Sequence, residues 1–134
     1  MAQKASRVTA LEVTVEDRPG MLAKVMTEAR DAGLEFRSVV AWTEQGKGVI
    51  CGVPMDLQQA LSVATGAPYQ VQQVEMIWVE GDDERGALVG VAERIAAAGI
   101  SIEAMHVSAV AGKFAGTIFL KPEDMDQAAK ALGI

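Results

Sequence analysis

The chain has 134 residues, enough for one ordinary domain or two very small ones. Half of them are hydrophobic and 22% charged, which excludes a disordered chain; with 4% aromatic residues the core must come from Val, Leu, Ile, Ala and Met. A formal charge of −6 argues against nucleic acid or anionic lipid as a partner, and the single cysteine, Cys51, excludes an internal disulfide and any cysteine-cluster zinc site.

At the N-terminus, Met-Ala-Gln-Lys-Ala-Ser-Arg has no apolar stretch behind its charges, so no secretory signal is expected. Residues 10–16 alternate Leu11, Val13 and Val15 with Glu12, Thr14 and Glu16, which predicts a half-buried strand. Asp17-Arg18-Pro19-Gly20 is a turn signal that leads into a helix over residues 21–32. Leu22, Val25, Met26, Ala29 and Ala32 form its apolar stripe, and Gly33 stands where a helix C-cap needs positive φ. A second strand is expected over residues 34–43. Gln45-Gly46-Lys47 then reads as a hairpin turn into a third strand at 48–53. Asp56 suits the N-cap of a short helix carrying Leu57, Ala60, Leu61 and Ala64. Residues 69–73 predict a fourth strand, which runs almost directly into another at 74–80.

From there the pattern repeats. Gly20, Gly33 and Gly46 recur 66 residues later as Gly86, Gly99 and Gly112, with Val13, Asp17, Leu22 and Lys47 matched by Val79, Asp83, Leu88 and Lys113. A two-residue insertion shifts the offset to 68, pairing Pro54 with Pro122 and Asp56 with Asp124. This is an internal duplication. The second copy has a helix stripe of Leu88, Val91, Ala92, Ile95 and Ala98, strands at 100–110 and 114–120, and a last helix, with Asp124 suited to its N-cap, carrying Met125, Ala128, Ala129 and Leu132. The fold class is therefore α+β: two ferredoxin-like βαββαβ units over residues 8–73 and 74–134, each an antiparallel sheet with helices on one face. Together they predict a continuous sheet of about eight strands. The second unit ends before a fourth strand of its own, and residues 6–9 or a strand from another subunit are expected to cover the open edge.

A strand, a loop with Asp-Arg-Pro-Gly-Met-Leu and a helix ending in Gly-Leu-Glu-Phe resemble an ACT domain, a small amino-acid-binding regulatory module. The second copy resembles it through Asp83-Glu84-Arg85-Gly86-Ala87-Leu88 and Gly99-Ile100-Ser101-Ile102, so the resemblance covers residues 8–134. It implies a tandem ACT protein with a ligand site at an interface between two units packed side by side. Carried over by position, the ligand-binding residues are Asp17, Arg18, Pro19, Gly20, Met21, Leu22 and Glu35 in copy one. In copy two they are Asp83, Glu84, Arg85, Gly86, Ala87 and Ser101. Asp17 and Asp83 stand where family members often have Asn, Glu35 and Ser101 depart from a Gly-Val-Asn-Ile pattern, and copy two lacks the proline. Elementary chemistry points the same way. A glycine opening a helix exposes backbone N–H groups to an α-carboxylate, and a neighbouring acid meets an α-ammonium. The plainer alternative is a tight turn capped by Asp17.

No catalytic residue is expected. Cys51 lies in the apolar run Val49-Ile50-Cys51-Gly52-Val53, and His106 has neither a Cys nor a second His beside it. The Asp82-Asp83-Glu84 cluster lacks the spacing of a calcium loop and reads as a solvated acidic turn, so no metal or other cofactor is implied. Trp42 and Trp78 are expected to pack at a sheet or subunit surface. Apolar runs such as residues 95–100 are too short to cross a bilayer, and a cytoplasmic location is expected. The function expected is a non-catalytic sensor of a small amino acid, forming a homo-oligomer. Two alternatives are a regulatory subunit of an amino-acid metabolic enzyme and a small acylphosphatase-like enzyme. One Arg per loop among two or three acids argues against the second of these.

Overall fold

A computed structural model describes residues 3–134. In chain order its elements are β1 (Gln3–Glu16), α1 (Met21–Asp31), β2 (Phe36–Glu44), β3 (Lys47–Pro54), α2 (Leu57–Thr65) and β4 (Gln70–Asp82). These are followed by α3 (Val89–Ala97), β5 (Ala104–Val110), β6 (Lys113–Phe119) and α4 (Met125–Leu132). The class is α+β, with the strands hydrogen-bonded in the order β2-β3-β1-β4-β6-β5. Six strands form among the described residues where eight are expected from sequence. The reason is length: β1 and β4 run for 14 and 13 residues, and each is divided between two compact units. One unit is Thr9–Val74; the other joins residues 3–8 to Glu75–Ile134.

In the first unit β3 lies antiparallel to both β1 and β2, with Val13 opposite Ile50 and Trp42 opposite Val49. The β2–β3 turn places Gln45 and Gly46 at φ 51° and 77°, the two successive positive values that a type I′ hairpin turn needs. Asp56 caps α2, its carboxylate accepting the Gln59 amide at 3.1 Å. Burial is concentrated in the sheet, at Leu11, Val15, Val49, Ile50, Cys51 and Val53. The helices contribute little: α1 fully buries only Met21, and α2 only Ala60.

The second unit is packed differently. Val91 and Ile95 of α3, and Met125, Ala128 and Leu132 of α4, close over Ile77, Val79, Phe114 and Ile118 in one continuous core. Each large apolar side chain buried there contributes about 1.5–3 kcal/mol. Residues 3–8 of β1 take the place of the missing fourth strand. Ala5 packs against this core, and Arg7 pairs with Glu75 at 2.6 Å and Asp126 at 2.8 Å. Strand β1 thus begins seven residues before the predicted start at Ala10. Sequence alternation misses this stretch because Lys4 and Arg7 face out while Ala5 and Ser6 are small. Pairing with a distant partner, rather than local propensity, makes it a strand.

Candidate functional site

The loop of copy one is built around Gly20. Its φ of 88° is left-handed, and it is the residue from which α1 starts. No side chain caps the helix, so Asp17 is free of that duty, and a capping role for it is excluded. The first amides of any helix lack intrahelical acceptors. Here the Met21 amide bonds back to the Arg18 carbonyl at 3.4 Å, while Lys24 is the first to reach the Gly20 carbonyl, at 2.9 Å. Those of Leu22 and Ala23 therefore face the loop. A Cβ built on Gly20 would meet nothing within 4 Å, so open space lies over this helix end. Asp17, Arg18, Pro19 and Gly20 are all exposed. Arg18 folds back onto Glu16 at 2.8 Å, which offsets part of its charge. Met21 turns the other way, buried with Val15 and Ile50, and anchors the helix; Leu22 is 43% exposed.

Copy two does not reproduce this arrangement. Gly86 also has positive φ, 74°, yet α3 starts only at Val89 and takes Leu88 as its N-cap. Without the proline the chain makes two successive turns, Ala87 amide to Glu84 carbonyl and Val89 amide to Gly86 carbonyl, both at 3.0 Å. Ala87 leans on the second core rather than facing solvent, while Asp83, Glu84 and Arg85 are exposed. The Asp83 amide is taken by the Gly112 carbonyl at 2.9 Å. Neighbouring Asp82 pairs with Lys113, which holds its carboxyl below the usual carboxylate range.

Glu35 and Ser101 are exposed, and each follows the C-terminal end of its unit's first helix. At 1.5 Å per residue, α1 places Glu35 roughly 16 Å from Gly20. Within one unit the loop and the second-strand position are therefore not brought together.

The remaining candidates have structural surroundings. His106 lies edge-on to Phe119, with ring centroids 5.6 Å apart. Trp78 is buried and donates its indole N–H to Glu80 at 2.6 Å. Among the described residues no cluster of His, Cys, Asp and Glu could hold a metal, and no helix is long and apolar enough to cross a membrane. Burial, then the nearby Glu12 charge, push the Cys51 thiol up to about 12. At pH 8 only about one molecule in ten thousand carries the reactive thiolate. Ellman's reagent at pH 8 should therefore leave the native thiol intact and titrate it fully in guanidinium; rapid native labelling would contradict this burial.

One feature of the first unit has no counterpart among the sequence motifs: an apolar cavity of about 270 Å³, open to solvent on one side. The signal for it lay in comparing side-chain size, copy against copy, at positions that both copies keep apolar.

No family model and no curated protein matches this chain. Solved structures do. A protein from Bacteroides thetaiotaomicron superposes with a TM-score of 0.82 at 20% identity, covering 96% of this chain and 88% of its own. The regulatory subunit of aspartate kinase from Thermus flavus gives 0.60 at 15% identity, covering 99% and 95%. Its ligand-free counterpart from Thermus thermophilus gives 0.62 at 13%, covering 99% and 97%. The chain thus has the fold of aspartate kinase regulatory subunits, over nearly the whole length of both.

Proposed function

We propose that this chain is a regulatory protein of the tandem ACT type, present in the cytoplasm, that binds a small amino acid through loop residues 17–20 and the free amides that open α1, with Met21 anchoring the helix beneath. The observation that carries the reading is the uncapped start of α1 behind Gly20, with open space above it. An α-carboxylate suits the free amides and the positive end of the helix dipole. The carboxylate of Asp17, engaged in no cap, is available to an α-ammonium group. Since Glu35 lies about a helix length away, a ligand touching both positions would need a second ACT unit, from this chain or from another copy in a homo-oligomer. Copy two is the weaker site, because its loop opens no helix at Gly86.

A thermal-shift panel with the twenty amino acids tests this directly. A ligand at about 100 times its dissociation constant should raise the midpoint by roughly 5–10 °C. Gly20→Val is a poor probe, since a β-branched residue at φ 88° is strained whatever the ligand does. Gly20→Asn tolerates positive φ and fills the space over the amides, so it should weaken binding by more than tenfold with unchanged circular dichroism. Asp17→Ala should weaken binding and leave the ligand-free midpoint unmoved. No shift with any amino acid would sink the sensor reading.

A second reading is supported by the fold comparison: a regulatory subunit that works mainly by contact with an amino-acid metabolic enzyme, as separate regulatory subunits of aspartate kinase share this architecture. Co-purification of such an enzyme with the tagged chain, unaffected by Gly20→Asn, would favour it over the sensor. An acylphosphatase-like activity finds little support, because Arg18 is already paired with Glu16.

A further inference from the structure

The cavity of the first unit lies between its sheet and the inner sides of α1 and α2. Leu11, Val13 and Ile50 form the strand side, Val25 and Ala29 the α1 side, and Val63 belongs to α2. The duplication explains its origin. Ala29 corresponds to Ile95, and Ala64 to Leu132. Gly52 stands opposite Leu11 as Ile118 stands opposite Ile77. Ile95, Ile118 and Leu132 are 0%, 1% and 7% exposed and fill the second core, whereas two alanines and a glycine line the cavity in the first. Four exchanges run the other way, Met26 for Ala92, Phe36 for Ile102, Ile50 for Gly116 and Val63 for Ala131. Phe36 lies over Gly52, so the space left open is chiefly that above Ala29 and Ala64. The space is a cleft open to solvent on one side, where Met26 and Val39 are 47% and 39% exposed, and not a sealed void. The chain carries a filled version of this unit beside the hollow one.

One part of the wall is polar. Glu28 and Arg30 line it, and the Tyr69 hydroxyl donates to the Glu28 carboxylate, 2.9 Å from each oxygen. Arg30 is paired with Asp31 at 3.0 Å, so the unbalanced charge here is negative. A carboxylate offers about four acceptor positions, and the single Tyr69 proton leaves most of them free. An apolar chamber with such a carboxylate selects an apolar molecule with a cationic end.

We propose that this cavity binds a small hydrophobic amine, its apolar body held between α1, α2 and the sheet and its ammonium group on Glu28. The size suits one ring or a branched alkyl group, since about 150 Å³ already admits benzene. None of residues 17–22 lines the cavity, so this site stands or falls apart from the amino-acid loop.

Phenethylamine, phenylacetate and toluene separate the contributions, with thermal shift and ligand-observed NMR as readouts. Phenethylamine should raise the midpoint by roughly 5–10 °C near saturation, toluene by less, and phenylacetate not at all. Ala29→Ile with Ala64→Leu, the side chains of the second copy, should raise the ligand-free midpoint and abolish the shift. If that pair does not fold, Ala64→Leu alone should reduce binding at least tenfold. Glu28→Gln should weaken phenethylamine at least tenfold and leave toluene unchanged. Absence of binding by all three probes, phenylacetate binding as tightly as phenethylamine, or undiminished binding in the filled variants would overturn the proposal.

Discussion

Ile95→Ala should lower the stability of the protein by about 2–5 kcal/mol, the usual range for truncating a fully buried branched side chain. Ile95 is 0% exposed and packed among Val91, Ile100 and the α4 residues. The substitution places in α3 the alanine that α1 carries at the corresponding position, and so recreates the first unit's hollow in the second. Urea unfolding followed by circular dichroism gives the number. A loss below about 1 kcal/mol would mean that the second unit is not close-packed and that the contrast between the copies is false.

Removing residues 1–8 should be at least as damaging. The second unit then loses its fourth strand, the Ala5 contact and both Arg7 ion pairs. The exposed ion pairs contribute little. The ladder bonds, at about 0.5–1.5 kcal/mol each, make up most of a loss of about 3 kcal/mol or more, with the Ala5 burial added. The bared edge of β4 also becomes a template for association. Hydrogen exchange should show the β4 amides directed at β1 losing protection while those bonded to β6 keep theirs, and sedimentation should show concentration-dependent aggregation. A truncated chain that remains monodisperse with β4 protected would show that residues 3–8 are dispensable.

Much of the fold was legible because the duplication states its punctuation twice. Gly33 and Gly99 end the first helix of each copy at φ 79° and 76°, and Gly46 and Gly112 turn each hairpin at 77° and 79°. Asp56 and Asp124 both read as caps; Asp56 makes the bond, whereas Asp124 holds the N-cap position of α4 without one, because a short 3-10 turn at Pro122–Asp124 runs into the helix there. Strand β5 begins at Ala104 rather than at residue 100, since Ile100 is drawn into the core ahead of the ladder. Of the candidate site, the positive φ at Gly20 and Gly86 was legible, and the different helix start in copy two was not. That start depends on Pro19 having no counterpart: Arg85 occupies its place, and the turns lengthen. The cavity is not legible in periodicity, which records whether a position is apolar and ignores how large its side chain is.

The division of β1 also bears on the order in which the protein can be made. Everything the first unit needs lies between Thr9 and Val74, so it can close as soon as that stretch clears the ribosome. Residues 3–8 are synthesised before the whole first unit, yet their partners lie in residues 75–134. At 5–20 residues per second, this strand waits roughly 4–15 s for β4 and roughly 6–25 s for the rest of its unit, with its backbone unpaired. During that interval the nascent chain is a half-finished sheet with an open edge, and chaperone contact is most useful then. A bulky tag fused ahead of Gln3 would burden the unit formed from the far end of the chain, not the one next to it in sequence.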